Sequence, residues 1–254
     1  MRPFLLFLIL ALAAPSAFPQ AIASKVYSWS NSPVVKHTGY EVRTIIEGTT
    51  RDFSNVTVQG VTLYANQPSQ PAQQLEEEAL LIIKTGQLTL TIGNKTKILG
   101  PGSVALIMPG DDHRLENKTA DPLTYYVMRL TSNQMPDVDI NKMAGGSFWV
   151  DWNEVPYTPH SKGGIRRMFD TGTVMTERFE MHVTTLNPGL WSHPPHQHRA
   201  AEILIMMENT AEEQIDGEMH RANVGDLIFL ESTVPHAIKN TTQAKCTYFA
   251  FQFE

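Results

Sequence analysis

The 254-residue chain reads as an all-β protein made of two copies of one small barrel behind an N-terminal leader. Three observations predict it. After the leader no long stretch carries helical periodicity; short apolar or alternating runs recur instead, separated by Gly, Pro, Asn and Asp, as strands and turns require. Spacings then repeat: Glu78 to Gly93 and Glu202 to Gly217 are both 15 residues, and Gly102 to His113 and Gly225 to His236 are both 11. An asparagine follows each of these histidines by four, at Asn117 and Asn240. Repetition at a fixed period marks duplicated units. Finally, residue types that hold metals are concentrated in the second copy.

The leader comes first. Arg2 precedes an apolar run from Phe4 to Ala14 that is too short to span a bilayer as a helix. Small residues follow, and Ala21-Ile22-Ala23 fits an A-x-A cleavage pattern. Residues 1–23 therefore read as a secretory signal peptide cut after Ala23. The mature chain is expected in a periplasm or outside the cell, with no stable membrane insertion. The single cysteine, Cys246, has no partner for an internal disulfide and reads as a small buried hydrophobe. The net charge is −6 with no basic run, which argues against nucleic acid as a partner.

In the first copy the expected strands are Gly39–Glu47, Val56–Ala65, Leu80–Ile83, Gln87–Ile92, Lys95–Leu99, Val104–Ile107, His113–Glu116 and Leu123–Leu130, with a hairpin turn at Gly93-Asn94. This barrel takes in residues 24–135. Residues 136–170, rich in Asn, Asp, Pro and Met at their start, read as a linker and inter-barrel segment. Within it Phe148, Trp149 and Trp152 form an aromatic cluster suited to packing the barrels together. Lys162-Gly163-Gly164-Ile165-Arg166-Arg167 lacks the glycine spacing of a phosphate loop; Arg166 or Arg167 are candidates for pairing a substrate carboxylate.

The second copy, residues 171–254, carries the chemistry. His196 and His198 are two apart, so on a strand they point to one face, and Glu202 keeps that parity. His236 lies 34 residues beyond Glu202 and must come from a neighbouring strand. Three imidazoles and a carboxylate suit one divalent transition metal, with manganese, iron or nickel ahead of zinc. Glu202, as the anionic ligand, is also the candidate catalytic base. Met206 continues the face of Glu202 and is expected to wall the cavity, with Trp191, Tyr248 and Gln252 as further substrate-binding candidates. His193, just before Pro194-Pro195, reads as a loop residue on plain surface, at most one on the substrate side of the metal.

The motifs Gly189…His196-x-His198-x3-Glu202 and Gly225…His236-x3-Asn240 closely resemble the two signatures of the cupin family. One extra residue follows Gly189, and Glu231 and Thr233 stand where the family has Pro and Gly. The resemblance implies two tandem cupin jelly-roll β-barrels, a bicupin, with a metal in the mouth of the second, and a homodimer. Aligned at an offset of 124 through the first motif and 123 through the second, the N-terminal copy has Ala72, Gln74, Glu78 and His113 opposite the four ligands. On that alignment it keeps two of the four, a degenerate site.

The two-barrel layout is also similar to (S)-ureidoglycine aminohydrolase, a manganese bicupin. That family's ligands run Glu-x-His-x3-His with a distant Gln, whereas this chain has His196-x-His198-x3-Glu202 with His236. Three functional classes stay open at this point: a metal-dependent enzyme (oxygenase, decarboxylase, isomerase or hydrolase) on a small polar or carboxylate-bearing molecule, a non-catalytic binder of a sugar or organic acid, or a structural bicupin. Fold alone does not choose among them.

Overall fold

The structure, a computed structural model, describes residues 20–68, 71–137, 139 and 145–254. Most of the signal-peptide stretch and part of the expected linker lie outside the described residues. The strands are β1 (Lys25–Tyr27), β2 (Val34–His37), β3 (Tyr40–Gly48), β4 (Phe53–Leu63), β5 (Glu78–Thr85), β6 (Leu88–Ile92), β7 (Lys95–Leu99), β8 (Val104–Ile107), β9 (His113–Glu116) and β10 (Leu123–Ser132). They continue with β11 (Phe148–Val150), β12 (Thr158–His160), β13 (Gly163–Thr171), β14 (Phe179–Leu186), β15 (Ala201–Glu208), β16 (Ala211–Ile215), β17 (Glu218–Ala222), β18 (Leu227–Leu230), β19 (His236–Lys239) and β20 (Cys246–Phe253). The eight strands expected in the first copy are all present, with ends shifted by a few residues.

Each copy pairs a seven-stranded sheet with a three-stranded one, all antiparallel. The N-terminal sheets run β11-β8-β5-β10-β4-β3-β2 and β7-β6-β9; the C-terminal sheets run β1-β18-β15-β20-β14-β13-β12 and β17-β16-β19. The edge strands are exchanged. β1, at the start of the first repeat, pairs with β18, while β11, at the start of the second, pairs with β8. The 136–170 stretch thus contributes strands to both large sheets rather than only bridging them.

Alternation along the strands builds three cores. On β5, Leu80 and Ile82 face the core between the two large sheets, and Ala79, Leu81 and Ile83 face the interior of the first barrel. On β15, Ala201, Ile203 and Ile205 face the same central core, and Leu204 and Met206 face the second barrel. Phe53, Phe179, Phe229, Phe249, Phe251 and Phe253 are all buried in the centre. At roughly 2–3 kcal/mol for each large apolar side chain removed from water, this layer dominates the cohesion of the two barrels. Cys246 is buried in the second barrel's core, as expected of a small hydrophobe.

The segment just before β1 belongs to the fold. Ile22 is 6% exposed and sits in the central core, and its amide donates to the Thr49 carbonyl at 2.9 Å. The chain passes so close to β3 that any side chain at Gly48 would run into the Gln20 carbonyl. Cleavage after Ala23 would withdraw Ile22 from this core.

Candidate metal centre

His196, His198 and His236 converge in the second barrel, each offering a ring nitrogen within 4.8 Å of the others. Two backbone bonds clamp the convergence: His196 N–H donates to the His236 carbonyl at 3.1 Å, and His236 N–H to that of His196 at 2.9 Å. Pro194 and Pro195 favour an extended chain on the approach to this bridge. The Thr233 amide donates to the His198 carbonyl at 2.8 Å, tying the second motif's turn to the first motif.

Backbone carbonyls fix the ring orientation. The Nδ1–H of His198 donates to the Ala200 carbonyl at 2.8 Å, and that of His236 to Val234 at 2.9 Å. A carbonyl only accepts, so the hydrogen is on Nδ1 and both rings present Nε2 inward, as a metal-binding histidine requires. Oε2 of Glu202 lies 2.9 Å from His198 Nε2 and 3.1 Å from His236 Nε2. Nε2 of His236 is buried and completes no hydrogen bond. Nitrogen lone pairs and a carboxylate oxygen this close require positive charge among them, which a proton or a metal cation can supply. Burial pushes the Glu202 carboxyl up, but the His198 bond and the His236 imidazole outweigh it and hold it down at about 2. The Glu202 bond raises His198 above the ordinary imidazole range. Three converging imidazoles beside an ionised carboxylate fit a divalent metal.

His193 corrects the sequence reading. Its ring centroid is 4.1 Å from that of His196 and 6.2 Å from that of His236, and its Nδ1 faces the Pro194 carbonyl at 3.0 Å. It belongs to the imidazole cluster rather than to open surface. The turn at Pro194-Pro195 folds it back, which residue spacing along an extended strand does not reveal.

The other candidates occupy different depths. Gln252 stands opposite Glu202 in the sheet, with its Nε2 3.2 Å from His198 Nε2. Met206 and Tyr248 are paired four residues further in and buried, so they pack in the barrel's core rather than at its mouth. Trp191 is half-buried on the outer side, bridged to Lys239, whose ammonium lies 5.3 Å from its ring centroid. Glu213, not singled out from the sequence, points into the same barrel between Ala211 and Ile215. It is 1% exposed and neither oxygen completes a hydrogen bond. Burial and the Glu202 charge push its carboxyl well above the usual range.

The first barrel's site is poorer than the sequence alignment implies. β5 and β15, β8 and β18, and β9 and β19 all correspond at one offset of 123. The bridge Gln73–His113 matches the bridge His196–His236 at that same offset. Gln73, Leu75 and Ala79 therefore stand opposite His196, His198 and Glu202, and only His113 keeps its ligand type. Glu78 instead has the parity of Leu80 and faces the other barrel, where the Met175 amide donates to it at 3.2 Å. The offset of 124 aligned two glutamates of opposite facing.

Fold and site together define a double β-barrel protein with a histidine–carboxylate centre in one barrel. A cupin-domain sequence profile matches residues 61–129 and 182–251, and the chain belongs to the cupin family, as a bicupin. Among curated proteins no relative matches by sequence. Similar solved structures include AerE from Microcystis aeruginosa, at 15% identity and TM-score 0.67, covering 88% of this chain and 97% of that one. An oxalate decarboxylase from Bacillus subtilis superposes with TM-score 0.67 at 12% identity, over 94% of this chain and 79% of that one. One from Lactobacillus farciminis does so with TM-score 0.66 at 11% identity, over 91% and 86%. At these identities the likeness is one of fold.

Proposed function

We propose that the chain is an exported metalloenzyme that binds one divalent transition metal through His196, His198, Glu202 and His236 and transforms a small polar or carboxylate-bearing molecule in the second barrel. The single observation that carries this reading is the convergence of the His196, His198 and His236 ring nitrogens within 4.8 Å of one another, with Glu202 Oε2 at 2.9 and 3.1 Å from two of them. Donors this close repel one another unless protons or a cation lie among them, and an imidazole–carboxylate set of this kind suits a divalent transition metal. A metal there would polarise a bound oxygen or lower the pKa of bound water. The chain's own residues orient the imidazoles through the Ala200 and Val234 carbonyls and pack the barrel's core with Met206 and Tyr248.

The oxalate decarboxylases among the structural neighbours support acid chemistry as the first class to assay. The ureidoglycine-type hydrolase is a weaker reading, because the ligand order differs. Export rests on the leader's composition. The test is elemental analysis of untagged protein, then turnover of a small-acid panel by the loaded protein. About one equivalent of metal, held by one such site, with turnover is the expected result; metal without turnover of any acid would leave a binding protein.

A further inference from the structure

The inner face of the second barrel's large sheet is closed on one side and open on the other. Glu202, Leu204 and Met206 on β15 are buried; Glu180, His182 and Thr184 on β14 are half-buried; Arg167 on β13 is exposed. Cross-strand partners share a face. Register therefore places Arg167, His182, Ala250 and Leu204 in one row, and Glu180, Gln252 and Glu202 in the next. Ala250 puts only a methyl group between His182 and Leu204.

The groups on the open side are arranged, not scattered. His182 Nδ1 lies 3.0 Å from Glu180 Oε1, which orients the ring and leaves Nε2 available. The Arg167 side chain has neither a hydrogen bond nor an ion pair among the described residues. Its neighbour Arg166 lies on the opposite face, where it bonds the Val155 carbonyl and stacks 4.5 Å over Trp152. Arg167 is thus a cation facing a cluster whose nearby ionisable acids are Glu180, Glu202 and Glu213. β14 and β15 are two strand spacings apart, about 10 Å, and β13 one spacing further. Between them in the Arg167 row β20 carries only the Ala250 methyl group, and arginine's long side chain shortens the separation.

We infer that Arg167 and the Glu180-oriented His182 form an anion subsite that holds the carboxylate of a small hydroxy or keto acid, while the acid's second oxygen lies at the histidine–Glu202 centre. The inference rests on the proposed function and narrows its substrate class. Guanidinium is the cation best matched to a carboxylate, through two parallel N–H donors. His182 Nε2 supplies or accepts a further hydrogen bond, and the half-buried Gln252 lies between the two ends.

The test compares metal-loaded parent, Arg167→Gln, His182→Gln and, as a control on the other sheet, Arg221→Gln. Each is titrated by calorimetry with glycolate and lactate, and with their uncharged counterparts ethylene glycol and propane-1,2-diol; metal content is measured on every variant. The expected result is that the parent binds the acids in preference to the diols, and that Arg167→Gln loses at least tenfold in acid affinity with unchanged metal. His182→Gln is expected to weaken acid binding at unchanged metal, and Arg221→Gln to match the parent. Equal acid affinity in parent, Arg167→Gln and His182→Gln would overturn the subsite and leave the metal centre standing. A metal-loaded parent that binds none of the acids would overturn it as well. A parent that takes up no metal would overturn the proposed function, and the subsite with it.

Discussion

Nε2 of His236 stands 3.1 Å from Oε2 of Glu202, across the two sheets of the second barrel. The imidazole comes from β19 of the small sheet and the carboxylate from β15 of the large one, so their approach exists only when the barrel is closed. His198 reaches the same oxygen from the approach to β15.

Removing either partner of this pair should release the metal while keeping the fold. His236→Ala and Glu202→Gln are each expected to lower metal affinity by at least the ~100-fold that follows loss of a mere supporting contact to a ligand. Metal content after dialysis, with circular dichroism as the fold control, checks this. Parent-like retention in either variant would refute the ligand assignment.

Metal retention should also fall with acid. The ligand imidazoles must be neutral, and the Glu202 bond raises His198, so the proton competes there from a higher pH than for a free histidine. Metal affinity is expected to be level at alkaline pH and to decline as pH falls through the imidazole range. A titration with a metal indicator from pH 8 to pH 5, spanning the ordinary histidine value of about 6.5, measures it.

Glu78 predicts the opposite trend in stability. Burial raises its carboxyl to about 7, against the Thr173 and Met175 hydrogen bonds that lower it. Between the unfolded value of 4.5 and the folded value of about 7 the folded chain holds a proton that the unfolded chain has lost. Stability from this group is therefore present at acid pH and is lost as pH rises through that window, by about 3 kcal/mol. Glu78→Gln should flatten the dependence and raise the melting temperature at pH 8. Thermal melts of both proteins across this window decide it.

Thr233 occupies the left-handed region with φ 64°, at the position where the family motif has glycine. A β-branched residue there costs about 1–2 kcal/mol, and glycine gives back part of that through its looser unfolded state. Thr233→Gly is expected to stabilise the chain by ~1 kcal/mol with metal content unchanged, measured by denaturant unfolding.

Ile22 predicts where processing stops. A chain starting at Ser24 lacks this buried side chain and should be about 2–4 kcal/mol less stable than one starting at Gln20, as for other deletions of large core residues. On the proposed export, N-terminal sequencing of the processed chain is expected to show a start at or before Gln20.

Much of this protein was legible as a string. Strand alternation, turn residues and repeated spacings predicted two β-barrels, because a period of two and the Gly and Asn positions are local properties. Strand parity put His196, His198 and Glu202 on one face in the sequence reading, yet His196 and His198 precede β15, and it is the backbone bridge to His236 that brings the rings together. Parity misled where register was needed: Glu78 and Glu202 match in spacing but face opposite cores, and only the sheet pairing shows it. His193 joins the cluster through a turn, and Glu180 and His182 reach the site by lying two strands away from β15, with 18 or more residues of chain between them and Glu202. Polar alternation in Glu180-Met181-His182-Val183-Thr184 was the available clue that one face of β14 is not core. Which residues alternate, and which chemistry they carry, can be read along the chain without its fold. Which strands exchange between barrels, which rows share a face and which imidazoles meet Glu202 rest on the tertiary structure, because those depend on contacts between residues far apart in the chain.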